Sequence, residues 1–161
     1  MFYLACTRFN NETLEENLEY KALIGLNGVI YGTSIQINKK YPLGSLLIVI
    51  EMNNELNKIV GLGLIKNKVY VDKKYKIYRN QDYNRYVYKG EYWLSPENFD
   101  IEVIKMLENM VFKGCSHLKR QSGISVITKK LFNRWNYDED NIKTIIRDTF
   151  LRYFISISDT I

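Results

Sequence analysis

The sequence has few of the residues that build metal centres, disulfide frameworks or catalytic dyads. Its 161 residues include two cysteines, Cys6 and Cys115, and a single histidine, His117. Two distant cysteines and one histidine fit neither a disulfide framework nor a zinc site, so we expect no metal and no cofactor. Such sparse cysteine is typical of a reducing compartment, which favours a cytoplasmic protein.

Long apolar segments are also absent. The longest apolar run covers residues 46–50, which is far too short to span a bilayer. The first residues, MFYLACTRFNNE, have neither a basic start nor a long apolar stretch, so no signal peptide or membrane segment is predicted. The sequence has no Walker loop, and Gly61 with Gly63 lacks the third glycine of a dinucleotide fingerprint.

What the sequence does contain is enough apolar material for a core, together with an excess of positive charge. Hydrophobic residues make up 46% and aromatic residues 14%, which argues against disorder and for one domain over residues 1–161. The net charge of +5 favours an anionic partner. Abundant Lys, Asn, Ile and Tyr are also typical of an AT-rich genome, such as that of a large DNA virus, so charge alone does not establish a ligand.

Short apolar runs predict the strands of a curved, largely antiparallel sheet. Runs of this length, rich in β-branched residues, favour strands over helices. They cover residues 2–6, 46–52, 59–65, 85–94 and 123–127, with exposed strands expected at 69–71 and 75–78. Gly61 and Gly63 share one face of their strand, which predicts either a bulge or the close approach of another backbone.

Four helices are predicted from their start signals and from apolar residues at helical spacing. The first runs from about Thr13 to Leu23, with Thr13 and Glu16 as a capping box and apolar positions 14, 18 and 22 on one face. The others are expected from Ser95-Pro96 to the Gly114 stop, over 128–135, and after the acidic residues 138–140. The last residues, 155–161, are expected to fray or to form an edge strand.

One part of this pattern is similar to a known family. Gly44 lies in a turn, residues 46–52 form a buried strand, and Gly61 and Gly63 lie in an I-V-G-x-G-x-I strand. This arrangement resembles the pseudobarrel of PUA-like domains, the group that contains the EVE, YTH and ASCH modules, although Ser45 stands where many of them have Asp. The resemblance implies a small barrel-like sheet flanked by about four helices. It also implies binding of RNA or DNA, in some members through a modified base.

A basic loop without acidic residues follows the second predicted helix. The segment 112–127, FKGCSHLKRQSGISVI, combines cations, glycines and small polar side chains, a combination that holds phosphates. The predicted phosphate-binding residues are Lys113, Gly114, Ser116, His117, Lys119, Arg120, Gln121 and Ser122. The alternative is a solvated loop whose charges only keep the protein soluble.

A second basic segment, residues 66–92, carries eight Lys or Arg and seven tyrosines. Cations follow phosphates and aromatic rings stack on bases, so this segment favours a single-stranded nucleic acid. The residues predicted to stack on a base are Tyr92, Trp93 and Trp135. The alternative is a half-exposed sheet with packed tyrosines and solvated lysines, and a tryptophan is more often buried than exposed.

The preferred interpretation is a non-catalytic module that binds nucleic acid, RNA before DNA, in a groove lined by both basic segments. One alternative is an ASCH-like hydrolase of modified nucleosides that would use Lys119 or His117 with Glu51 or Glu91 as acid–base groups. Cys115 and His117 would form a nucleophilic pair only with an orienting group that the sequence does not identify. Another alternative is a virion structural or protein-interaction module.

Overall fold

The computed structural model describes residues 1–114 and 118–161, and within them the α+β prediction is confirmed. The strands are β1 (Tyr3–Phe9), β2 (Val29–Thr33), β3 (Leu46–Asn53), β4 (Lys58–Lys66), β5 (Tyr86–Gly90), β6 (Tyr92–Leu94) and β7 (Ser125–Val126). The helices are α1 (Asn11–Ile24), α2 (Ile101–Phe112), α3 (Lys129–Trp135) and α4 (Glu139–Tyr153). Among these described residues, no helix combines the length and the apolar character needed to cross a membrane.

The strands form an open mixed sheet and a separate two-stranded sheet. The larger sheet has the order β6-β4-β3-β1-β7, and β2 pairs with β5. The central strands β1 and β3 are parallel, and the other pairs are antiparallel. The predicted barrel is therefore not seen as a closed structure among the described residues. The reason is the long crossover between residues 10 and 45, which allows β3 to run in the same direction as β1.

Successive residues of the central strands point to opposite faces, and each face has its own core. Leu4 and Ile48, which are register partners, face a core shared with the apolar sides of α2, α3 and α4. Ala5 and Val49, the next partners, face a core built with β2, β5 and part of α1. The molecule therefore has three layers, with the five-stranded sheet in the middle.

The glycine face of β4 accommodates side chains from neighbouring strands. The register shifts between Glu51 and Met52, so the bulge expected near the glycines is present. A Cβ at Gly63 would collide with the Tyr31 hydroxyl and the Val29 side chain. A Cβ at Gly61 would collide with the Trp93 indole. The predicted bulge is thus confirmed, and the close approach on this face is made by side chains rather than by another backbone.

The first helix is confirmed, but its cap and its buried face were predicted wrongly. Asn10 is the N-cap, and its Oδ1 accepts from the Thr13 backbone N–H at 2.7 Å. Glu16 instead accepts from the backbone N–H of Arg79. The predicted face fails because Leu18 is 53% exposed, whereas Asn17 is buried and donates to the Ile30 carbonyl and the Tyr78 hydroxyl. The buried Asn17 amide, through these two hydrogen bonds, therefore determines which face of α1 packs against the protein.

The segment expected to form exposed strands at 69–71 and 75–78 is irregular instead. The side-chain oxygen of Asn84 accepts from the backbone N–H groups of Ile77 and Tyr78, and its amide donates to the Tyr78 carbonyl. One asparagine therefore satisfies backbone groups that would otherwise need a strand partner. Tyr75, Ile77 and Tyr78 are buried, contrary to the expectation of an exposed ribbon.

Three further boundaries differ from the prediction. Ser95 begins only a short 3-10 turn, Pro96–Asn98, and α2 starts after its own cap, Asp100. Residues 85–94 are divided between β5 and β6, which lie in different sheets. The last residues do not fray, because Ile157 and Ile161 are buried and the Arg147 Nε donates to the Ile161 carbonyl.

Replacing Gly63 by alanine tests the packing between the two sheets. The added methyl group overlaps with Val29 and the Tyr31 hydroxyl, so we expect Gly63→Ala to lower the free energy of unfolding by about 1–3 kcal/mol. Urea denaturation measures this loss. Val29→Ala in the same chain should recover part of it by making room, and purely additive effects of the two substitutions would contradict the proposed contact.

Candidate functional site

The main candidate site is a recess of about 290 Å³ where the carboxyl end of β1 meets the amino end of α1. The strand β2 and residues from both basic segments complete its walls. The recess is lined by Thr7, Arg8, Phe9, Asn10, Thr13, Tyr31, Gly32, Thr33, Ser34, Asn54, Tyr78, Tyr83, Ser122 and Gly123. Ser122 and Gly123 belong to the basic loop, and Tyr78 and Tyr83 belong to the tyrosine-rich segment. Both regions thus reach one concave surface.

The recess is positively polarised. Arg8 is its one Lys or Arg, and no Asp or Glu is among the described residues that line it. Asn10 and Thr13 place the first turn of α1 at its wall, where the positive end of the helix dipole attracts anions. An anionic group in this recess would therefore find a cation and a favourable dipole, and the nearest carboxylates, Glu12 in the first turn of α1 and Glu51 behind Tyr31, lie outside its lining.

The backbone of Lys119 anchors the basic loop to the rim of the recess. Its carbonyl accepts from Arg8 Nη1 at 3.2 Å and from Asn54 Nδ2 at 2.7 Å. The second bond fixes the amide orientation of Asn54 and leaves its Oδ1 buried without a described hydrogen-bond partner. Asn54 itself lines the recess, but this oxygen is buried behind its wall.

Three tyrosines and the buried Phe9 form the aromatic part of the recess. Tyr78 is buried, its hydroxyl accepts from Asn17, and burial raises its pKa above the ordinary value. Tyr83 packs edge-on against Tyr78 with 6.2 Å between ring centroids, and it is 42% exposed. Tyr31 is fully buried and its hydroxyl donates to Glu51 at 2.7 Å. Tyr83 is therefore the ring of the recess with an accessible face.

The predicted phosphate-binding residues are spread along the loop. Ser122 lines the recess, and with Gln121 it also lines a neighbouring groove near β7. Lys119 is half-buried and Arg120 is exposed. Lys113 lies at the other end of the loop, in a groove with Lys105 and Glu108, and Gly114 is beside the ring of Trp135. Ser116 and His117, together with Cys115, lie outside the described residues.

The predicted base-stacking residues do not lie together, and none of them lines the recess. Tyr92 and Trp93 are neighbours on β6, so they face opposite sides of the sheet. Tyr92 packs on Phe154 with 5.0 Å between centroids, whereas the Trp93 indole donates to Glu51 at 3.2 Å. Trp135 stacks with Tyr137 at 6.0 Å. All three are half-buried and hold neighbouring elements together.

Glu51 is the centre of a buried polar cluster next to the recess. Its carboxylate accepts from the Tyr31 hydroxyl and from the Trp93 indole, and Lys21 lies 5.4 Å from the centre of the Trp93 ring. Burial raises the pKa of Glu51, although the two hydrogen bonds and Lys21 oppose the shift. Burial also lowers the pKa of Lys21. Among the described residues, no hydrogen bond or ion pair joins Lys119 to Glu51 or Glu91, and the other acid–base group of the hydrolase alternative, His117, lies outside them.

The most informative residues of the recess were not singled out from the sequence. Arg8 lies at the end of the first strand without a motif, and Asn54 was assigned only to a turn. Their proximity depends on the parallel pairing of β1 with β3, in which Arg8 is opposite Met52 and the Asn54 N–H donates to the Phe9 carbonyl. The one sequence signal for a residue of the recess was Asn10. Its side chain and its position before Thr13 are typical of the N-cap of a helix.

Comparisons of the chain with family models, with curated proteins and with solved structures found no match. The PUA-like resemblance therefore stays a prediction that depends on residues 42–65 alone.

The pH dependence of stability tests the environment of Glu51. The pKa of Glu51 in the folded protein is raised above the ordinary 4.5. The contribution of Glu51 to the free energy of unfolding is therefore fully present below pH 4.5 and is lost as the pH rises through the folded pKa. We expect Glu51→Gln to remove this loss, which amounts to about 1.4 kcal/mol for each unit of pKa shift. Urea denaturation from about pH 4 to pH 7 measures it. The control is Glu55→Gln at an exposed carboxylate, and an unchanged pH profile in Glu51→Gln would contradict the assignment.

Proposed function

We propose that the protein is a non-catalytic nucleic-acid-binding module, with RNA as the favoured ligand, that holds one nucleotide in the recess. The observation that carries the proposal is the composition of the recess wall. A cation, a helix amino end, an accessible tyrosine and small polar side chains meet there, and no carboxylate is among the described lining residues. These are the groups that a phosphate, a base and a sugar require.

The size of the recess supports a ligand of nucleotide scale. A volume of about 290 Å³ is at the lower end of small-molecule sites, which suits one base with part of its sugar. The exposed face of Tyr83 offers a stacking surface at the rim. Ser34 and Ser122 supply hydroxyl groups for hydrogen bonds to the sugar or the base.

The charges around the recess support binding of a polynucleotide backbone. Arg8 lies in the wall, and Lys119 and Arg120 follow on the loop that Arg8 contacts. The phosphates on either side of the bound nucleotide would therefore meet cations. The fold family that the sequence resembles binds RNA or DNA, which is consistent with this assignment, and recognition of a modified base belongs to the same proposal.

Arg8→Ala tests the phosphate contact. We expect binding of a fluorescently labelled single-stranded RNA to weaken about tenfold, and the slope of log affinity against log salt to fall by about 0.7. Fluorescence anisotropy at several salt concentrations measures both quantities. Arg8→Lys should keep the salt slope because the charge remains.

The matched control for Arg8→Ala is Arg152→Ala, which removes an exposed arginine from α4 in the opposite layer. Equal losses in the two variants would mean that only net charge matters. Binding by Arg8→Ala at the parent affinity would contradict the proposed site.

Tyr83→Ala tests base stacking at the rim. Removal of the ring should cost about 1–3 kcal/mol of binding free energy with no change in salt slope, because the lost contact is uncharged. Tyr83→Phe should bind like the parent. The control is Tyr153→Ala, at a tyrosine that is 48% exposed on α4. An unchanged affinity of Tyr83→Ala would contradict stacking on this ring.

A further inference from the structure

A second basic groove lies across the 81–84 turn from the recess. Tyr83 of this turn lines the recess, while its neighbours Gln81, Asn84 and Arg85 line the groove. The rest of the groove is formed by Tyr70, Val71, Lys73, Lys74, Tyr75, Lys76 and Val87. One short turn thus separates two concave surfaces, so a flexible ligand held in the recess passes directly to the groove.

The groove carries positive charge that the described residues do not neutralise. Lys73, Lys74 and Lys76 are exposed, and none of them forms an ion pair with a described residue. Arg85 is paired with Asp82 at 2.8 Å. The other nearby acid, Asp72, accepts from the Tyr75 hydroxyl at 2.7 Å, and this bond with Lys89 and Lys73 lowers its pKa. Lys73 therefore interacts with Asp72, whereas Lys74 and Lys76 remain available to an anion.

The tyrosines of the groove are already occupied by lysines of the same chain. Lys89 Nζ lies 4.8 Å from the ring centre of Tyr70 and 5.3 Å from that of Tyr75, and it donates to the Tyr75 hydroxyl at 3.3 Å. Lys73 also lies 5.1 Å from the Tyr75 ring, and Lys68 lies 5.4 Å from the Tyr70 ring. These cation–π contacts cover the rings of two tyrosines of the basic segment that the sequence associated with single-stranded nucleic acid.

We infer that this groove is a phosphate track that binds the backbone of the nucleotides flanking the recess without reading their bases. The inference rests on the proposed function, because the recess has to hold one nucleotide of the same strand. Lys74 and Lys76, which form no ion pair with a described residue, attract phosphates of any sequence. The covered rings leave bases nothing to stack on, so selectivity is confined to the recess and the groove adds only salt-dependent affinity.

The double variant Lys74→Ala/Lys76→Ala tests the inference. With a single-stranded RNA of about 10 nucleotides, within the usual range of such sites, we expect the salt slope to fall by about 1.4, or 0.7 for each lost contact. The loss of affinity should be the same for poly-U, poly-A and poly-C of that length. A mononucleotide, which fills only the recess, should bind the variant and the parent equally.

The control is Lys129→Ala/Lys130→Ala, which removes two exposed lysines from α3 on the other side of the central sheet and should leave the salt slope for the longer RNA nearly unchanged. An unchanged salt slope in Lys74→Ala/Lys76→Ala, or an equal loss of slope in the control, would contradict the phosphate track. The proposed nucleotide site in the recess is tested separately, by Arg8→Ala and Tyr83→Ala. A loss that differs between the homopolymers overturns the claim that the groove ignores bases. If the parent binds no single-stranded nucleic acid, both proposals fall.

Discussion

The parallel pairing of β1 with β3 is the constraint on which the candidate site depends. Parallel neighbours end on the same edge of a sheet, so the residues after β1 and after β3 meet there. The Asn54 N–H donates to the Phe9 carbonyl, and Arg8 and Asn54 both donate to the Lys119 carbonyl. Because β1 runs directly into α1, the amino end of that helix lies at the same edge. A strand end, a helix start and the basic loop are thereby brought to one recess.

The crossover between β1 and β3 also explains the polar interior on one side of the sheet. It places α1 and β2 over a face that contains Gly61 and Gly63, where small residues leave room for large polar side chains. Tyr31 and Trp93 fill this room and donate to Glu51. A buried carboxylate is unfavourable unless its oxygens accept hydrogen bonds, and here both of them do. The other face has α2, α3 and α4 packed over an almost wholly apolar core.

The two concave surfaces differ in the chemistry that they present. The recess has one arginine, an accessible tyrosine and polar groups of fixed orientation, which suit recognition of a single nucleotide. The groove has several exposed cations, and its tyrosines are covered by lysines, which suits contact with a backbone of any sequence. Since the 81–84 turn contributes to both surfaces, its position decides whether one strand of nucleic acid reaches them together.

Local signals in the sequence determined much of the secondary structure. The apolar runs at 46–52 and 59–65 are long enough and β-branched enough to define β3 and β4, and the acidic start of α4 includes its cap, Asp138. The basic loop and the tyrosine-rich segment were also recognisable from composition alone. By contrast, the direction of β1 relative to β3, the burial of Tyr75 and Tyr78, and the meeting of Arg8 with Asn54 were decided only by the tertiary structure. These features depend on contacts between residues far apart in the chain, and periodicity and composition describe a residue's neighbours along the chain rather than those in space.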